Sequence, residues 1–373
     1  MPTNPTPSVV IVGGGIAGLA TAYELALEGI PATVVEPDGI ASHASGFAYG
    51  GLSGGVTGRP NANTPMMVEG MRLHALLAER LPAETGVDTQ FRRSPQLRLA
   101  FTQEELDSFG PDMDWRNAHP GFRAEVVDAA GARRIEPRVA PEALGGLYVE
   151  GSADLEPYRL SVALAQAAES RGASIRTGRA VGLERSGGKV SGVRLEDGSV
   201  LACERVVLAT GPWLREAAAW CGLELPVRPL KGQIIRLRTG GPPFEVSVGY
   251  GKDYAMTKPS DGLVWAGTTE EEAGFDESKT TRGRDEIIEA LLRFLPSLAD
   301  AELVLQTACL RPVSADGAVV VGAAPTPDGV VLVGGGGRQG IMMGPALGRT
   351  AAQLVLSGYS PLALPAYAPG RFA

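Results

Sequence analysis

The sequence predicts an α/β fold: a domain built on a parallel sheet, with an α+β domain on an antiparallel sheet inserted into it. The apolar run Val9–Val12 precedes a glycine turn and apolar residues at helical spacing, which is typical of a parallel strand buried on both faces. Later segments alternate apolar and polar residues as antiparallel strands do. The length of 373 residues also favours more than one core.

Helix and strand signals then follow in order along the chain. The elements expected after the first strand are a helix over 16–27, a strand over 32–35, a long loop over 38–63, a helix over 66–81, a strand over 97–101, a helix over 158–171, two hairpins turning at 187–188 and 197–198, strands over 206–209, 233–238 and 263–267, a helix over 284–295, a strand over 330–333 and a helix ending at 356. This order predicts a nucleotide-binding domain from 1–86, 152–222 and 310–373, and a substrate-binding domain from 87–151 and 223–309.

Composition and charge narrow the classes of partner. Apolar residues make up 44% and charged residues 20%, as in a globular protein. The net charge of −8 argues against nucleic acid or an anionic membrane surface as a partner. Three scattered cysteines are typical of a reducing cytoplasm, and their spacing and that of the three histidines predict no metal site.

Membrane and export signals are weak in this sequence. No charge-free apolar stretch of ~20 residues predicts a membrane span. The apolar start is interrupted by glycines and carries no preceding positive charge, so we expect a buried strand and helix rather than an exported leader. Residues 2–8 are expected to form a disordered tail.

The first glycine turn predicts a dinucleotide site. Gly13, Gly15 and Gly18 fit GxGxxG between a strand and a helix: the first makes the tight turn, the second admits a pyrophosphate, and the third lets the helix pack. The helix N-terminus favours the pyrophosphate's negative charge. Glu36 ends the second strand, where an acidic side chain accepts hydrogen bonds from the ribose hydroxyls of a dinucleotide. The sequence therefore predicts a Rossmann-like domain.

Two features favour FAD over NAD as the dinucleotide. The two hairpins precede the segment Ala209-Thr210-Gly211, and a second glycine-rich turn lies far downstream at 334–340. A nicotinamide enzyme of this length would give its later parts to a separate catalytic domain. The downstream turn and helix instead offer backbone groups to the polar edge of a flavin.

These residues carry a family resemblance. The matching segments are VVIVGGGIAGLATAYELALEG, DLEPYRL, VVLATGPW, PLKGQ, DYAMTKP, GLVWAGTT, LRPVSADG and GGGRQGIMMGPALG, in family order from residue 8 to about 358. The chain resembles the D-amino-acid oxidase superfamily of flavoproteins, and within it the glycine oxidases. The resemblance implies a glutathione-reductase-type FAD domain.

The resemblance also implies three substrate contacts. Arg311 would hold the substrate carboxylate through its guanidinium fork, and Tyr254 would hydrogen-bond the same carboxylate. Arg338 would lie at the flavin's edge near the substrate. Each has an alternative: Arg311 as a surface loop charge, Tyr254 as a half-buried sheet aromatic, and Arg338 as a ligand of phosphate or backbone carbonyls.

The expected cofactor contacts cluster in the glycine turns, the loop after the second strand and the ATG segment. They are Gly13, Gly15, Ile16, Ala17, Gly18, Glu36, Pro37, Ser42, His43, Ser45, Gly50, Gly51, Leu52, Val181, Thr210, Gly211, Trp213, Gly336, Gly337, Arg338, Gln339, Gly340, Ile341 and Met342. His43 is expected to lie on the cofactor rather than act as a base, and Trp213 to pack near the adenine side.

The sequence departs from the glycine oxidases in two ways. Thr268 and Thr269 replace a bulkier apolar residue and are expected to enlarge the pocket. Cys309 aligns with the cysteine that bonds covalently to flavin in sarcosine-oxidase-type relatives; non-covalent FAD is the expectation, with a link through Cys309 left open. The GLVWAG strand has no lysine of the kind that sarcosine oxidases use for oxygen activation.

The resemblance implies an FAD-dependent amine or amino-acid oxidase. Its substrate would be glycine or an N-substituted glycine, including an N-carboxymethyl amine of specialised metabolism, and its products glyoxylate, an amine or ammonia, and hydrogen peroxide from molecular oxygen. Two alternatives remain: a D-amino-acid dehydrogenase with a different electron acceptor, and a flavin-binding subunit that needs a partner. A homo-oligomer is left open.

Overall fold

The computed structural model describes residues 8–372, so the expected tail, apart from Ser8, lies outside the described residues. The strands are β1 (Val9–Val12), β2 (Ala32–Glu36), β3 (Gly51–Leu52), β4 (Arg92–Arg93), β5 (Gln96–Ala100), β6 (Arg123–Asp128), β7 (Gly145–Glu150), β8 (Ala153–Asp154), β9 (Ser174–Thr177), β10 (Ala180–Ser186), β11 (Lys189–Leu195), β12 (Val200–Ala202), β13 (Arg205–Leu208), β14 (Val227–Arg238), β15 (Ser247–Tyr250), β16 (Asp253–Thr257), β17 (Val264–Gly267), β18 (Glu302–Ser314), β19 (Val320–Ala323) and β20 (Val330–Gly334). The α-helices are α1 (Ile16–Leu27), α2 (Ala44–Phe47), α3 (Thr64–Thr85), α4 (Gln103–Asp107), α5 (Met113–Asn117), α6 (Ala129–Ile135), α7 (Pro157–Glu169), α8 (Leu214–Ala219), α9 (Thr281–Phe294) and α10 (Gly340–Ser357).

A six-stranded sheet forms the first layer of the molecule. Its order is β19-β20-β13-β1-β2-β9, with parallel pairing except between β19 and β20. Strand β1 lies inside this sheet, and all four of its residues are buried, as its apolar run predicts. Apolar residues of α1, α3, α7 and α10 cover one face of the sheet. The Rossmann-like α/β prediction is confirmed.

The other face of this sheet is covered by α8 and by a three-stranded sheet of order β10-β11-β12. Both predicted hairpin turns lie in that small sheet, where Gly187, Gly188 and Gly198 have positive φ angles of 57°, 81° and 83°. A side chain is strained at such angles, which is why glycine specifies these turns.

An eight-stranded sheet forms the second large layer. Its order is β18-β14-β17-β16-β15-β5-β7-β6, and its described pairs are antiparallel except for β15 with β5. Residues of one face, such as Leu97, Val248 and Ala255, share an apolar core with residues of α9. Because side chains alternate along a strand, the intervening residues are presented on the opposite face.

The two large sheets draw on alternating parts of the chain. The six-stranded sheet takes strands from 9–36, 174–208 and 320–334, and the eight-stranded sheet from 96–150 and 227–314. The predicted boundary between 309 and 310 falls inside β18, and the domain division stays a prediction. Among residues 8–372, no helix is long and apolar enough to cross a membrane.

The expected loop over 38–63 contains two short elements, α2 and β3. Strand β3 pairs with β8, and β8 pairs with β4 in a small three-stranded sheet. Elements of two to four residues are too short to show a periodic pattern, so the sequence did not indicate them.

Candidate active site

A cavity of about 490 Å³ lies between the two large sheets. Its walls come from the glycine turn before α1, from residues 36–51, from the end of β13 and from the start of α10. The eight-stranded sheet closes the other side with residues that include Tyr254 and Arg311. The cavity therefore joins the predicted cofactor residues to the predicted substrate residues.

The glycine turn is shaped by close backbone approaches. Gly13 has a φ of 113°, and a Cβ atom there would overlap the carbonyl of Ala209. A Cβ atom at Gly18 would overlap the carbonyl of Gly13, so this glycine packs α1 against the turn rather than lining the cavity. Gly15 is the N-cap of α1 and offers no side-chain cap, so it leaves the helix N-terminus facing the cavity.

Glu36 holds the end of β2 against this turn. Its Oε2 accepts the Gly14 N–H at 2.8 Å, and its Oε1 accepts the Asp38 N–H at 2.9 Å. The side chain is buried, and each carboxylate oxygen has a second lone pair for another donor. Glu36 lines the cavity, so its carboxylate can accept hydrogen bonds from ribose hydroxyls there.

A helix N-terminus, a glycine turn without side chains and an acid at the end of β2 fit a dinucleotide. Most predicted cofactor residues line this cavity. They are Gly13, Gly15, Ile16, Ala17, Glu36, Pro37, Ser42, His43, Ser45, Gly50, Gly51, Thr210, Gly211, Trp213, Gly336, Gly337, Arg338, Gly340, Ile341 and Met342.

Three further predicted cofactor residues do not line the cavity. Leu52 is fully buried in the core. Val181 is 41% exposed, and its neighbour Ala180 lines the cavity instead, because successive side chains of a strand point to opposite faces. Gln339 lies in a short 3₁₀ turn whose neighbours Arg338 and Gly340 line the cavity.

His43 connects the cofactor loop to the substrate side. Its two ring nitrogens contact Asp38 and Glu277 at 3.1 Å each. Burial alone lowers the pKa of His43, but hydrogen bonds to the two carboxylates raise the pKa above its ordinary value. The His43 ring meets Trp213 edge-on, and Trp213 stacks on Phe275 with ring centroids 5.5 Å apart.

Arg311 lies on β18 beside β14, and its guanidinium is almost fully buried. It donates to the Thr268 hydroxyl at 2.6 Å and to the Thr269 carbonyl at 3.1 Å. The guanidinium lies over Gly232, where a Cβ atom would overlap it. Glycine in PLKGQ therefore makes the space that Arg311 occupies, and the surface-charge alternative for Arg311 is wrong.

Tyr254 lies on β16 and faces the same cavity. Its ring lies against Tyr49 with centroids 3.9 Å apart, and its hydroxyl lies close to Gly267. Burial raises the pKa of Tyr254 well above its ordinary value, so the phenol stays protonated and can donate a hydrogen bond. A phenol donor and a buried guanidinium in one cavity suit a carboxylate.

Arg338 lies at the rim of the cavity. Its guanidinium donates to Glu270 at 2.8 Å and to the Lys252 carbonyl at 2.6 Å. Its side chain is 35% exposed. In this arrangement Arg338 connects the glycine-rich turn before α10 to the substrate side.

The two departures from the glycine oxidases have different outcomes. Thr268 lines the cavity, but Thr269 does not. The Thr269 hydroxyl donates to Glu271 at 2.6 Å, so this side chain is held outside the cavity, and an enlarged pocket stays a prediction. Cys309 lines the cavity and is buried, and burial raises the pKa of its thiol.

Several cavity residues were missed from the sequence. Arg98 and Lys252 line the substrate side. Glu277 and Phe275 do not line the cavity, but they contact its lining residues His43 and Trp213 from a loop. Arg98 stands between buried Leu97 and Leu99. The apolar–polar alternation of these residues was the only signal in the sequence for Arg98. It indicates that the Arg98 side chain points away from the apolar core, but it does not indicate that this face lines a cavity.

The chain is similar to known proteins over most of its length. A family model described as FAD dependent oxidoreductase matches residues 8–354. A glycine oxidase from Pseudomonas putida is 32% identical over 370 residues, which cover 97% of this chain and 98% of that protein.

Two solved structures are similar over nearly the whole chain. The crystal structure of glycine oxidase from Geobacillus kaustophilus has a TM-score of 0.91 and 28% identity, covering 97% of this chain and 98% of that one. The crystal structure of iminodiacetate oxidase from Chelativorans sp. BNC1 has a TM-score of 0.89 and 25% identity, with the same coverage.

Proposed function

Because this chain belongs to the DAO family of FAD-dependent oxidoreductases, we propose that it oxidises glycine or an N-substituted glycine at the carbon next to the carboxylate. Membership makes it an FAD-dependent enzyme that oxidises amines or amino acids. Oxidation leaves an imine that water hydrolyses, so the proposed products are glyoxylate and ammonia or the freed amine. Oxygen is the proposed acceptor, which gives hydrogen peroxide.

The observation that carries the proposal is the buried guanidinium of Arg311 in the dinucleotide cavity. A buried charge is costly unless a partner compensates it, and the described hydrogen bonds of Arg311 go to a hydroxyl and a carbonyl. A carboxylate would neutralise the positive charge of the Arg311 guanidinium and would match its planar, two-pronged donor geometry. A substrate carboxylate therefore supplies the missing partner.

The residues of this chain supply orientation rather than proton transfer in this proposal. Arg311 and Tyr254 hold the carboxylate, which fixes the adjacent carbon in the cavity. Arg338 adds positive charge at the rim. FAD bound in this cavity would supply the redox chemistry, that of a hydride acceptor. Gly13, Gly15 and Glu36 hold the cofactor.

The relatives support the small-amine class without deciding its size. Glycine oxidase and iminodiacetate oxidase are the names of similar proteins, and they differ in whether the glycine nitrogen carries a substituent. The oxygen acceptor, a cytoplasmic location and a homo-oligomer remain proposals. A D-amino-acid dehydrogenase would differ by producing little hydrogen peroxide.

A spectrum of the purified chain followed by anaerobic titration tests the proposal. Flavin absorbance should be present, and glycine or sarcosine should bleach it while D-alanine does not. Aerobic assays of the same amines should then release hydrogen peroxide. Flavin that no glycine derivative bleaches would contradict the proposed function, and bleaching by D-alanine alone would favour the dehydrogenase.

A variant pair tests the carboxylate contact. Arg311→Ala should raise KM by about 10- to 100-fold or more, the range expected when a charged hydrogen-bonding partner is lost. Arg238→Ala is the control, because this arginine is 59% exposed and pairs with Glu302 at the far end of β14. Equal KM values for the two variants would remove Arg311 from the substrate site.

A further inference from the structure

A single row of residues crosses the cavity face of the eight-stranded sheet. Arg98 on β5 is paired with Gly249 on β15, which is paired with Tyr254 on β16. Paired residues of neighbouring strands point to the same face, so Arg98 and Tyr254 face the cavity together. They stand two strands apart, about 10 Å between backbones. Only a glycine lies between them, so no side chain separates the two.

The same face carries Arg311. The row continues through cross-strand pairs from Tyr254 on β16 to Gly267 on β17, then to Ile234 on β14 and Thr307 on β18. Arg311 lies further along β18 than Thr307 at a spacing that keeps it on the same face. Arg98, Tyr254 and Arg311 all line the one cavity. The substrate site therefore extends along the sheet past Tyr254 toward Arg98.

Arg98 brings a charge that the described chain does not neutralise. The hydrogen bond of its Nη2 goes to the Gly251 carbonyl at 3.1 Å, and Arg98 forms no ion pair within residues 8–372. Arg338 donates to the adjacent carbonyl of Lys252, so two guanidinium groups converge on one turn. Burial, then Arg338 and Arg116, lower the pKa of Arg98, as expected for a cation among cations.

None of the acidic groups described nearby forms an ion pair with Arg98. Glu270 pairs with Arg338 at 2.8 Å, Glu286 pairs with Lys252 at 2.8 Å, and Asp253 accepts the Thr268 N–H at 2.9 Å. One substrate carboxylate compensates Arg311. The guanidinium of Arg98 still faces the cavity without an anion.

We propose that Arg98 is a specificity-determining residue that binds a second anionic group, a carboxylate in the simplest case, on the nitrogen substituent of the substrate. This inference rests on the proposed function, since Arg311 and Tyr254 must hold the first carboxylate. It narrows the substrate class to N-substituted glycines with an acidic substituent. Glycine as a substrate has no nitrogen substituent, so it would make no contact with Arg98.

Two thioethers test the inference without turnover. Thiodiacetate and (methylthio)acetate share one carboxymethyl group, and only thiodiacetate carries a second carboxylate. Each is titrated into the FAD-loaded enzyme, and its Kd is read from the perturbation of the flavin spectrum. Wild type should bind thiodiacetate about 10- to 100-fold more tightly, the range of a charge-assisted hydrogen bond. Arg98→Gln should reduce the ratio to about 1, and Arg98→Lys should keep part of it.

Arg93→Gln is the matched control. Arg93 also donates to a glycine carbonyl, that of Gly151, but it is exposed and does not line the cavity. Its ratio of the two Kd values should equal that of wild type. In a turnover assay, Arg98→Gln should lower kcat/KM for iminodiacetate but not for N-ethylglycine.

The outcomes separate the two proposals. A wild-type ratio near 1, a ratio unchanged by Arg98→Gln, or equal weakening of both acids would overturn the role of Arg98. Failure of every glycine derivative to bleach the flavin would overturn the proposed oxidation, whereas the thioether ratio is read without any bleaching. Loss of FAD from Arg98→Gln would place Arg98 at the cofactor and also overturn the inference.

Discussion

Replacing Gly232 with alanine should displace Arg311 while leaving the fold intact. A Cβ atom at Gly232 would overlap Nη1, Nη2 and Cζ of the Arg311 guanidinium. Ordinary contact needs about 3.5–4.0 Å, so the guanidinium must retreat by more than about 1 Å. Its hydrogen bonds to Thr268 and Thr269, at 2.6 and 3.1 Å, do not survive such a shift.

The expected cost falls on substrate binding. A charged hydrogen bond is worth about 1.5–3 kcal/mol, so losing the carboxylate contact should raise KM about 10- to 100-fold. The backbone of Gly232 has no positive φ, and alanine is favoured over glycine inside a strand by about 0.5–1 kcal/mol. The strand and the FAD content should therefore stay close to wild type, whereas the melting temperature should fall because the Arg311 guanidinium loses two hydrogen bonds.

Steady-state kinetics with glycine and sarcosine measure the effect, alongside FAD content and thermal unfolding. Gly240→Ala is the matched control, because a Cβ atom at Gly240 meets nothing within 4 Å and its φ is not positive. A wild-type KM for Gly232→Ala with FAD fully bound would show that Gly232 does not position Arg311. An equal rise of KM in both variants would show the same.

Three further experiments test the cofactor side. Glu36→Gln should weaken FAD binding about tenfold or more, since a charged acceptor is lost, while Glu196→Gln at a 71% exposed position should not; fluorescence titration of FAD into apoprotein measures both. The raised pKa of His43 means that its contacts with Asp38 and Glu277 stabilise the fold below pH about 6.5, and that this stabilisation is lost as pH rises through the raised value. The difference in melting temperature between wild type and His43→Gln should accordingly be largest in acid and vanish in alkali; a difference independent of pH would contradict this sign. Because burial raises the pKa of the Cys309 thiol, acid precipitation should release FAD into the supernatant, and a yellow pellet would show a covalent link instead.

The long periodic elements could be predicted from the sequence to within a few residues. Strand β1 and helix α1 have the predicted bounds, and α9 begins at Thr281 where the prediction began at 284. Strand β14 begins earlier than predicted, at Val227, because it pairs with β18 along its whole length. Pairing between segments distant in sequence decides strand length, and a local pattern does not contain it.

The candidate site was predictable only where a local motif marks it. The glycine turn and Glu36 belong to one βαβ unit, so spacing alone places them together. Arg311 and Tyr254 came from resemblance, and their contacts with Thr268 and Tyr49 depend on strands distant in sequence. Thr269 shows the limit, because its side chain turns away from the cavity into hydrogen bonds.

By itself, the sequence determined the class of fold, the dinucleotide turn and the family. These follow from residue periodicity and from glycines whose role is local. Only the tertiary structure decided that Arg98 shares a row with Tyr254, that Gly232 makes room for Arg311, and that Thr269 stays out of the cavity. The physical reason is that strand register brings together residues from distant segments, and no local pattern encodes which side chains then face one another.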